Sequence, residues 1–282
     1  MNRTARACSA PEATETFSER SRADGVTHGD MMTRRRFFSR ALYTASIGAV
    51  ASVVALEPRW LKVQKIRLGT GPVRHRFAQI TDIHYRGDAA YLREVVAQVD
   101  ALAPDFVCFT GDLIEEAEFV APALGILCKL RAPLYGIPGN HDHWSRADFG
   151  PIRKAFAATG GAWLQDQQIA IRDGAVNLIG IDSRPVRVAA DPSKFNLLMV
   201  HYPEWADRLG DLRCDLAIAG HSHGGQVRLP FAGALITPHN TGRYEMGLFD
   251  TPVGPLYVNP GIGTIHIDVR FNCRPEITLF EV

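Results

Sequence analysis

Five places in the sequence carry side chains that could bind metal ions. They offer carboxylate, amide and imidazole groups and no thiolate, a set that suits Mn, Fe or Zn in a reactive site better than a structural zinc site. The seven candidate ligands are Asp82, His84, Asp112, Asn140, His201, His221 and His223. Seven ligands are too many for one ion but fit two if one carboxylate bridges. Two ions ~3.5–4 Å apart form a clamp used to hydrolyse phosphoesters and some peptides.

No single motif in this set carries the argument. The pair His221-x-His223, with Gly220 before it and Gly224 and Gly225 after it, is by itself more typical of a polar loop. The presence of similar side chains at the ends of five predicted strands changes that interpretation, because ordinary loops do not explain the coincidence. The three glycines then permit a tight turn that brings both imidazoles to one centre.

The elements that must position these side chains follow from the hydrophobic pattern. Each group ends a short apolar run closed by Gly or Pro, which is typical of a buried strand. The runs are RFAQITDIH, DFVCFTGD, APLYGIPGNHD, FNLLMVHYP and LAIAGHSHGG. Helical patterns separate the first three runs, so the order predicts βαβ units and a largely parallel sheet. Ligands of such sheets gather beyond the carboxyl ends of the strands.

Two local signals sharpen this prediction. Asp88 is a candidate N-cap for a helix with apolar residues at helical spacing. These residues are Leu92, Val95, Val96, Val99 and Leu102. Further along, the stretch IRDGAVNLIGIDS predicts a hairpin that turns at Asp173-Gly174.

The five blocks resemble the motifs of the calcineurin-like metallophosphoesterase family, in that family's order and across residues 82–223. The blocks are Asp82-x-His84, Gly111-Asp112, Gly139-Asn140-His141-Asp142, His201 and Gly220-His221-Ser222-His223. The segments TGRYEMGLF and LYVNPGIGT…VRFNCRPEITLF are similar to one branch of it. That branch holds membrane-associated or twin-arginine-exported bacterial phosphoesterases and includes enzymes resembling UDP-2,3-diacylglucosamine pyrophosphatases.

The resemblance implies a role for each ligand and a fold. Asp82, His84 and His223 would hold the first ion, and Asp112 would bridge both. The second ion would be held by Asn140, His201 and His221. The expected cofactors are two divalent ions, Mn, Fe or Zn, with Mn favoured. The implied fold is an α/β sandwich of two mixed β-sheets flanked by helices.

The resemblance gives His141 a catalytic role and not the role of a metal ligand. It would lie near the phosphoryl oxygen or leaving group, where a proton donor is needed. Its neighbour Asp142 is better interpreted as an orienting or turn residue than as a ligand. Arg270 could meet a phosphate, but a structural salt bridge is the preferred interpretation. Asp182 is interpreted as structural, and His239 is given no role.

The N-terminus predicts targeting and not catalysis. Residues 1–30 are polar and expected to be disordered or a mis-annotated start. Residues 31–60 carry Arg34, Arg35, Arg36 and Arg40 before a short apolar run, which resembles a twin-arginine signal or a membrane anchor. We therefore expect membrane association through this segment, with the side of the membrane open. The metallophosphoesterase domain is expected over residues 61–282.

Composition excludes several other classes. Apolar residues make up 46% of the 282 residues, enough for a sizeable core, and the formal net charge of +1 offers no global basic surface for nucleic acid. The five cysteines contain no C-x-x-C pair, so neither a zinc knuckle nor a disulfide framework is indicated. The oligomeric state is open.

The predicted function is metal-dependent hydrolysis of a phosphoester or pyrophosphate bond. One candidate substrate is a lipid-linked sugar nucleotide of the UDP-2,3-diacylglucosamine type, from lipid A synthesis. An alternative is an exported general phosphodiesterase or phosphatase. A non-catalytic binding scaffold is less favoured, because no ligand of the pattern is missing, and amide hydrolysis on two metals is disfavoured by His141 beside Asn140. Substrate cover would come from loops at residues 143–150, 184–194 and 231–247.

Overall fold

Strands and helices alternate over residues 76–163, as the apolar runs predict. The computed structural model describes residues 34–183 and 188–282, so the expectation for residues 1–30 lies outside the described residues. The helices are α1 Arg34–Leu56, α2 Ala89–Ala101, α3 Val120–Leu127, α4 Asn140–Trp144 and α5 Phe149–Ala158. The first seven strands are β1 Lys62–Arg67, β2 Arg76–Ile80, β3 Phe106–Phe109, β4 Leu134–Gly136, β5 Ala162–Trp163, β6 Gln167–Ile171 and β7 Val176–Ile181. The others are β8 Phe195–Val200, β9 Leu216–Ala219, β10 Arg228–Leu229, β11 Gly233–Ala234, β12 Gly247–Thr251, β13 Gly254–Val258 and β14 Glu276–Glu281.

The strands form two six-stranded sheets and one small hairpin. The first sheet has the order β1-β14-β2-β3-β4-β5, and the second has β12-β13-β9-β8-β7-β6. In each sheet the central strands are parallel and antiparallel pairs occur as well, β14 with β2, β12 with β13, and β6 with β7. Both sheets are therefore mixed, which confirms the predicted class. The short strands β10 and β11 pair only with each other.

Three apolar layers hold the sheets in place. One layer lies between the sheets and joins Phe77 and Phe106 of the first to Leu197 and Met199 of the second. The other face of the first sheet is covered by α2, α3 and α5. The outer face of the second sheet is covered by a 3-10 turn at Pro203–Asp207 and the segment after it, including Leu209. The predicted sandwich with outside helices is thus confirmed, with the regular helices concentrated on one sheet.

The two local predictions are also confirmed. The Asp88 carboxylate accepts a hydrogen bond from the Tyr91 backbone N–H and so caps α2. The apolar face of α2 is buried through Leu92, Val95, Val96 and Val99. Strands β6 and β7 pair antiparallel around a turn in which Arg172, Asp173 and Gly174 have positive φ.

The N-terminal part is described separately from the body of the domain. Contacts divide the chain into residues 1–46 and residues 47–282. Within the described residues of the first unit, α1 exposes Phe37, Phe38, Leu42 and Tyr43. Among the residues that the structure describes, no helix combines the length and the apolar character needed to cross a membrane.

Candidate metal centre

The polar side chains gather because five parallel strands end at the same edge. β2, β3 and β4 are parallel neighbours in the first sheet, and β8 and β9 are parallel neighbours in the second. Each of these strands is followed within a few residues by a candidate ligand. The structure brings together all seven predicted ligands there, and all seven are buried.

The loops that carry the ligands have an uncommon backbone. Five of the seven residues have positive φ without being glycine: Asp82, His84, Asp112, His221 and His223. Such conformations are costly for side-chain-bearing residues and cluster at functional sites. Backbone hydrogen bonds hold them, since Asp82 N–H donates to Gly111 O at 2.9 Å and His84 N–H donates to Asp112 O at 3.1 Å.

One half of the centre is formed by Asp82, His84 and His223. The Nε2 atoms of the two histidines are 3.0 Å apart. Asp82 Oδ1 lies 3.6 Å from His223 Nε2 and 4.0 Å from His84 Nε2. These ligand atoms are all within 4.8 Å of one another, a spacing that could hold one ion.

The other half is formed by Asn140, His201 and His221. Asn140 Oδ1 lies 3.0 Å from His201 Nε2, and His221 Nδ1 lies 3.2 Å from the same nitrogen. Asp112 stands between the halves, because its Oδ2 atom is 3.5 Å from His84 Nε2 and 3.2 Å from His201 Nε2. A carboxylate in that position can reach an ion in either half.

The hydrogen bonds of the imidazoles indicate which nitrogens can bind a cation. His201 Nδ1 lies 2.8 Å from Thr110 O and His221 Nε2 lies 2.6 Å from His239 O. A carbonyl oxygen only accepts, so these nitrogens carry protons, and in neutral rings the lone pairs are on His201 Nε2 and His221 Nδ1. Those lone pairs face each other and the Asp112 carboxylate. A divalent cation resolves this convergence of acceptors, so the donor set fits a metal.

The electrostatics of the centre favour bound cations. Burial tends to raise the pKa of Asp112, but His201 and His84 outweigh it and keep that pKa well below its usual range. Burial alone would lower the pKa of His201, but Asp112 raises it to about 9, so a positive charge, carried by a proton or by a metal ion in its place, is favoured at Nε2 beside that carboxylate. Burial lowers the pKa of His221 to about 3 and also lowers the pKa of His223, so both rings are neutral, the form that binds metals.

His141 lies at the rim and has a partner that sequence reasoning missed. Its Nδ1 atom is 2.9 Å from Glu115 Oε2, and Glu115 Oε1 is 2.7 Å from His84 Nδ1. Burial tends to raise the pKa of Glu115, but hydrogen bonds from the two histidines lower it to about 2. Glu115 therefore orients one predicted metal ligand and the predicted catalytic histidine. The sequence offered only an acid three residues after Asp112, and nothing distinguished Glu115 from Glu116.

The ring of His141 also lies close to the candidate metal ligands. One of its nitrogens is within 4.8 Å of donor atoms of His84 and Asp112. Its backbone N–H donates to Asp112 Oδ1 at 2.8 Å, so the main chain of this residue fixes the Asp112 carboxylate. That His141 is not itself a ligand stays a prediction.

Asp142 has the orienting role expected of it. Its buried carboxylate accepts hydrogen bonds from the backbone N–H groups of Asp112, Leu113 and Gly139, each at 2.9 Å. It thus joins the loop after β3 to the loop after β4. Burial and the neighbouring Asp112 raise its pKa to about 6.

Arg270 corrects the preferred salt-bridge interpretation. It is completely buried, and its guanidinium donates to backbone carbonyls instead of a carboxylate. These carbonyls belong to Pro260, Gly261, Gly263 and Cys273. Because Gly263 N–H donates to Asp82 O at 2.7 Å, Arg270 supports the segment that packs against the first ligand loop.

The other candidate residues surround the centre. His143 Nε2 lies 2.7 Å from Asp182 Oδ1, and Gln165 also donates to Asp182 at 2.9 Å, so Asp182 ties neighbouring loops together. His239 contributes a backbone carbonyl to His221. A cavity of about 590 Å³ opens beside His84, and its lining combines apolar and aromatic residues such as Ile83 and Tyr91 with charged residues such as Arg86.

Comparisons with known proteins agree with this geometry. A family model described as calcineurin-like phosphoesterase matches residues 75–225. "Uncharacterized metallophosphoesterase YkuE" of Bacillus subtilis (strain 168) is 29% identical over 89% of this chain and 98% of its own length. "Phosphodiesterase YaeI" of Escherichia coli (strain K12) is 26% identical over 89% and 100%. "UDP-2,3-diacylglucosamine pyrophosphatase LpxG" of Chlamydia trachomatis is 26% identical over 80% and 90%. The chain belongs to the calcineurin-like phosphoesterase family and is a phosphoester-hydrolysing enzyme.

Proposed function

We propose that this enzyme hydrolyses its phosphoester or pyrophosphate bond with two divalent ions, Mn, Fe or Zn, with Mn favoured. Asp82, His84 and His223 would hold one ion, and Asn140, His201 and His221 the other, with Asp112 between them. The observation that supports this is the convergence of lone pairs from His201 Nε2 and His221 Nδ1 on the Asp112 carboxylate. When bound, the ions supply Lewis-acid stabilisation of the charge on the phosphoryl group and activate a water molecule.

The side chains around the ions would divide the remaining work. His141 donates Nδ1–H to Glu115, which leaves Nε2 to exchange a proton with the substrate. A proton delivered there to the leaving-group oxygen would lower the barrier to its departure. Asp142 accepts a hydrogen bond from the Asp112 N–H, and the His141 N–H donates to Asp112 Oδ1. The carboxylate that would bridge the ions is thus held in place, and little reorganisation is needed during the reaction.

The test of two ions is metal analysis of Asp112→Ala. Removal of the bridge should release both ions, because Asp112 reaches both halves, and phosphodiester hydrolysis should fall to background. Asp173→Ala, in the exposed β6–β7 turn, is the matched control and should keep both ions. An active wild-type protein with one ion per chain would contradict the proposal.

For the substrate, we propose an amphiphilic pyrophosphate such as UDP-2,3-diacylglucosamine, the substrate class named for the LpxG relatives. The cavity beside His84 supports this choice, since its mixed lining of apolar and charged side chains offers a place for an amphiphilic group. An exported general phosphodiesterase is the second candidate and is supported by the YaeI relative. Release of UMP from UDP-2,3-diacylglucosamine, compared with hydrolysis of simple aryl phosphodiesters, distinguishes the two. Cleavage of the aryl esters without UMP release would exclude the first candidate and leave the metal chemistry intact.

We also propose that residues 31–60 associate the enzyme with a membrane. The support is the run of arginines at 34–36 before an apolar segment. The test is cell fractionation of the native chain and of a variant with lysine at Arg34 and Arg35. If the twin-arginine route operates, the native chain should be exported and the variant should stay in the cytoplasm. A native chain that is not exported would exclude the export signal and leave the membrane anchor as the role of residues 31–60.

A further inference from the structure

A short hairpin beside the metal centre exposes an unusual amount of apolar surface. The apolar hairpin is residues 227–236 and contains β10 and β11. Four large apolar side chains within it are exposed: Leu229, Phe231, Leu235 and Ile236. Phe231 is fully exposed and Ile236 is 80% exposed. Elsewhere in the described residues from Leu56 onward, exposed large apolar residues stand one at a time along the chain, so this cluster calls for an explanation.

The turn at the tip of the hairpin carries a phenylalanine at a position that favours glycine. Ala232 N–H donates to Leu229 O, which closes a four-residue turn with Pro230 second and Phe231 third. Phe231 has φ 67. A turn with Pro second and a left-handed third residue favours glycine there, because a side chain is strained in that conformation. The turn alone therefore does not account for a bulky aromatic side chain that points into solvent.

The charge of the segment suits a lipid surface. Residues 226–244 contain no aspartate or glutamate. Arg228 pairs with Glu245 at 2.8 Å, while Arg243 is exposed on the same segment. The Glu245 carboxylate also accepts a hydrogen bond from Ala234 N–H at 3.1 Å, so it lies against the hairpin and Arg228 balances its charge. An apolar tip that carries no acidic residue, above a single paired charge, suits the interface of a bilayer.

The hairpin is attached directly to the metal centre. Arg228 Nη1 donates to Gly224 O at 2.7 Å, next to the candidate ligand His223. The returning limb brings the His239 carbonyl to His221. Phe231 follows His223 by eight residues, so their Cα atoms are at most about 29 Å apart. A bilayer that held the tip would keep the centre near the level of the lipid phosphates.

We propose that the apolar hairpin inserts Phe231 and its apolar neighbours into the headgroup and acyl boundary of a bilayer. The hairpin then presents the metal centre to phosphoesters carried by lipids. A lipid surface fits better than a second copy of the chain, because a stable dimer buries about 1,200–2,000 Å² and four side chains on a projecting tip supply only part of that. Membrane insertion can be measured without any turnover, so its test is independent of the proposed function.

The first experiment places a fluorescent side chain at the tip of the full-length protein. Phe231→Trp and wild type are mixed with vesicles of phosphatidylcholine and phosphatidylglycerol in equal amounts, with and without bromine on the acyl chains. The tip tryptophan should be quenched by brominated lipid beyond the wild-type signal. Val73→Trp is the matched control, because Val73 precedes β2 at the end opposite Asp82 and is also exposed. It should add no quenching, whatever residues 31–60 do.

The second experiment removes the side chain without harming the turn. Phe231→Gly suits the left-handed position, so its melting temperature should equal or exceed that of wild type. Hydrolysis of a soluble aryl phosphodiester should be unchanged, while hydrolysis of a phosphoester embedded in vesicles should fall on the order of tenfold or more. If soluble-substrate activity is absent in wild type as well, the proposed function fails, and the quenching experiment still decides insertion.

Two results would overturn the proposal. One is tip tryptophan quenching no greater than in wild type. The other is a concentration-dependent dimer in vesicle-free buffer that Phe231→Gly converts to monomer, which would make the hairpin an interface between copies of the chain.

Discussion

At the residue scale, the division between metal binding and proton transfer rests on two neighbours, Asn140 and His141. Asn140 faces His201 from inside the centre, whereas His141 turns its Nδ1 atom toward Glu115 at the rim. We expect His141→Ala to keep both ions and to lower turnover by ~10²–10⁴-fold, the usual contribution of a positioned acid or base. Metal analysis and steady-state kinetics with an aryl phosphodiester measure the two effects separately.

The control for this variant is His201→Ala. His201 lies between Asn140 and Asp112, so its loss should lower the metal content as well as turnover. If His141→Ala instead lost metal to the same extent as His201→Ala, His141 would be a ligand and the division would be wrong.

Glu115 gives a second prediction at this scale. Its carboxylate accepts hydrogen bonds from His84 and His141, so it holds one candidate ligand and the proposed proton donor at the same time. Glu115→Gln should weaken metal affinity about 10–100-fold, as is usual when a ligand loses its supporting carboxylate. It should also lower turnover at saturating metal. Glu116→Gln, in the exposed neighbouring residue, should change neither metal affinity nor turnover; equal effects from both variants would remove the special role of Glu115.

At the element scale, the loops after the strands hold the ligands because they have no spare room. A Cβ atom at Gly220 would overlap the Thr81 side chain and the Asp82 carboxylate. Gly220→Ala should therefore displace a ligand loop, cost about 1–3 kcal/mol of folding free energy and reduce metal content. Gly125, inside α3, has open space around its Cα. Gly125→Ala should stabilise the protein by about 0.5–1 kcal/mol and leave metal content unchanged, as measured by thermal unfolding.

The outcome would contradict this account if Gly220→Ala kept full metal content and stability. Loss of metal with unchanged stability would still place the effect in the ligand loop. Loss in both variants would point to handling of the protein and not to the position of Gly220.

How far the sequence predicts these elements depends on how local their signals are. The strand ends, the cap at Asp88 and the β6–β7 turn depend on neighbours in the chain, and the structure confirms them. The position of β14 between β1 and β2 depends on pairing between distant segments, which a hydrophobic pattern does not encode. The hydrophobic pattern also does not predict the hydrogen bonds from Arg270 to backbone carbonyls or the one from His141 to Glu115. In each case the partners come close only in the folded chain.

At the scale of the whole molecule, the candidate ligands of both sheets meet at the carboxyl ends of their parallel strands. Asp82, Asp112 and Asn140 come from the first sheet, and His201 and His221 come from the second. The apolar layer between the sheets therefore sets the separation of the two sets of ligands. A centre divided between two sheets depends on the integrity of the complete sandwich, including the C-terminal strand β14.

Glu57 shows where this sandwich begins. It precedes β1 and is buried, and its carboxylate accepts hydrogen bonds from the backbone N–H groups of Asn272 and Cys273 at 2.9 and 2.5 Å. These residues lie just before β14 and close to Arg270. The contacts of Glu57 thus belong to the catalytic part, although residues 31–60 were predicted as a signal or anchor.

The final prediction compares two truncated chains that differ in Glu57. A chain that starts at Leu56 retains the carboxylate and should fold and hydrolyse phosphodiesters, since every candidate ligand lies beyond it. A chain that starts at Arg59 leaves the N–H groups of Asn272 and Cys273 without their charged acceptor. We expect it to lose about 2–4 kcal/mol of stability, roughly 5–10 °C in melting temperature for a domain of this size. Glu57→Ala in the longer chain should reproduce that loss, because the missing carboxylate and not the missing length is the cause; a longer variant as stable as its parent would show that the cause lies elsewhere in residues 56–58.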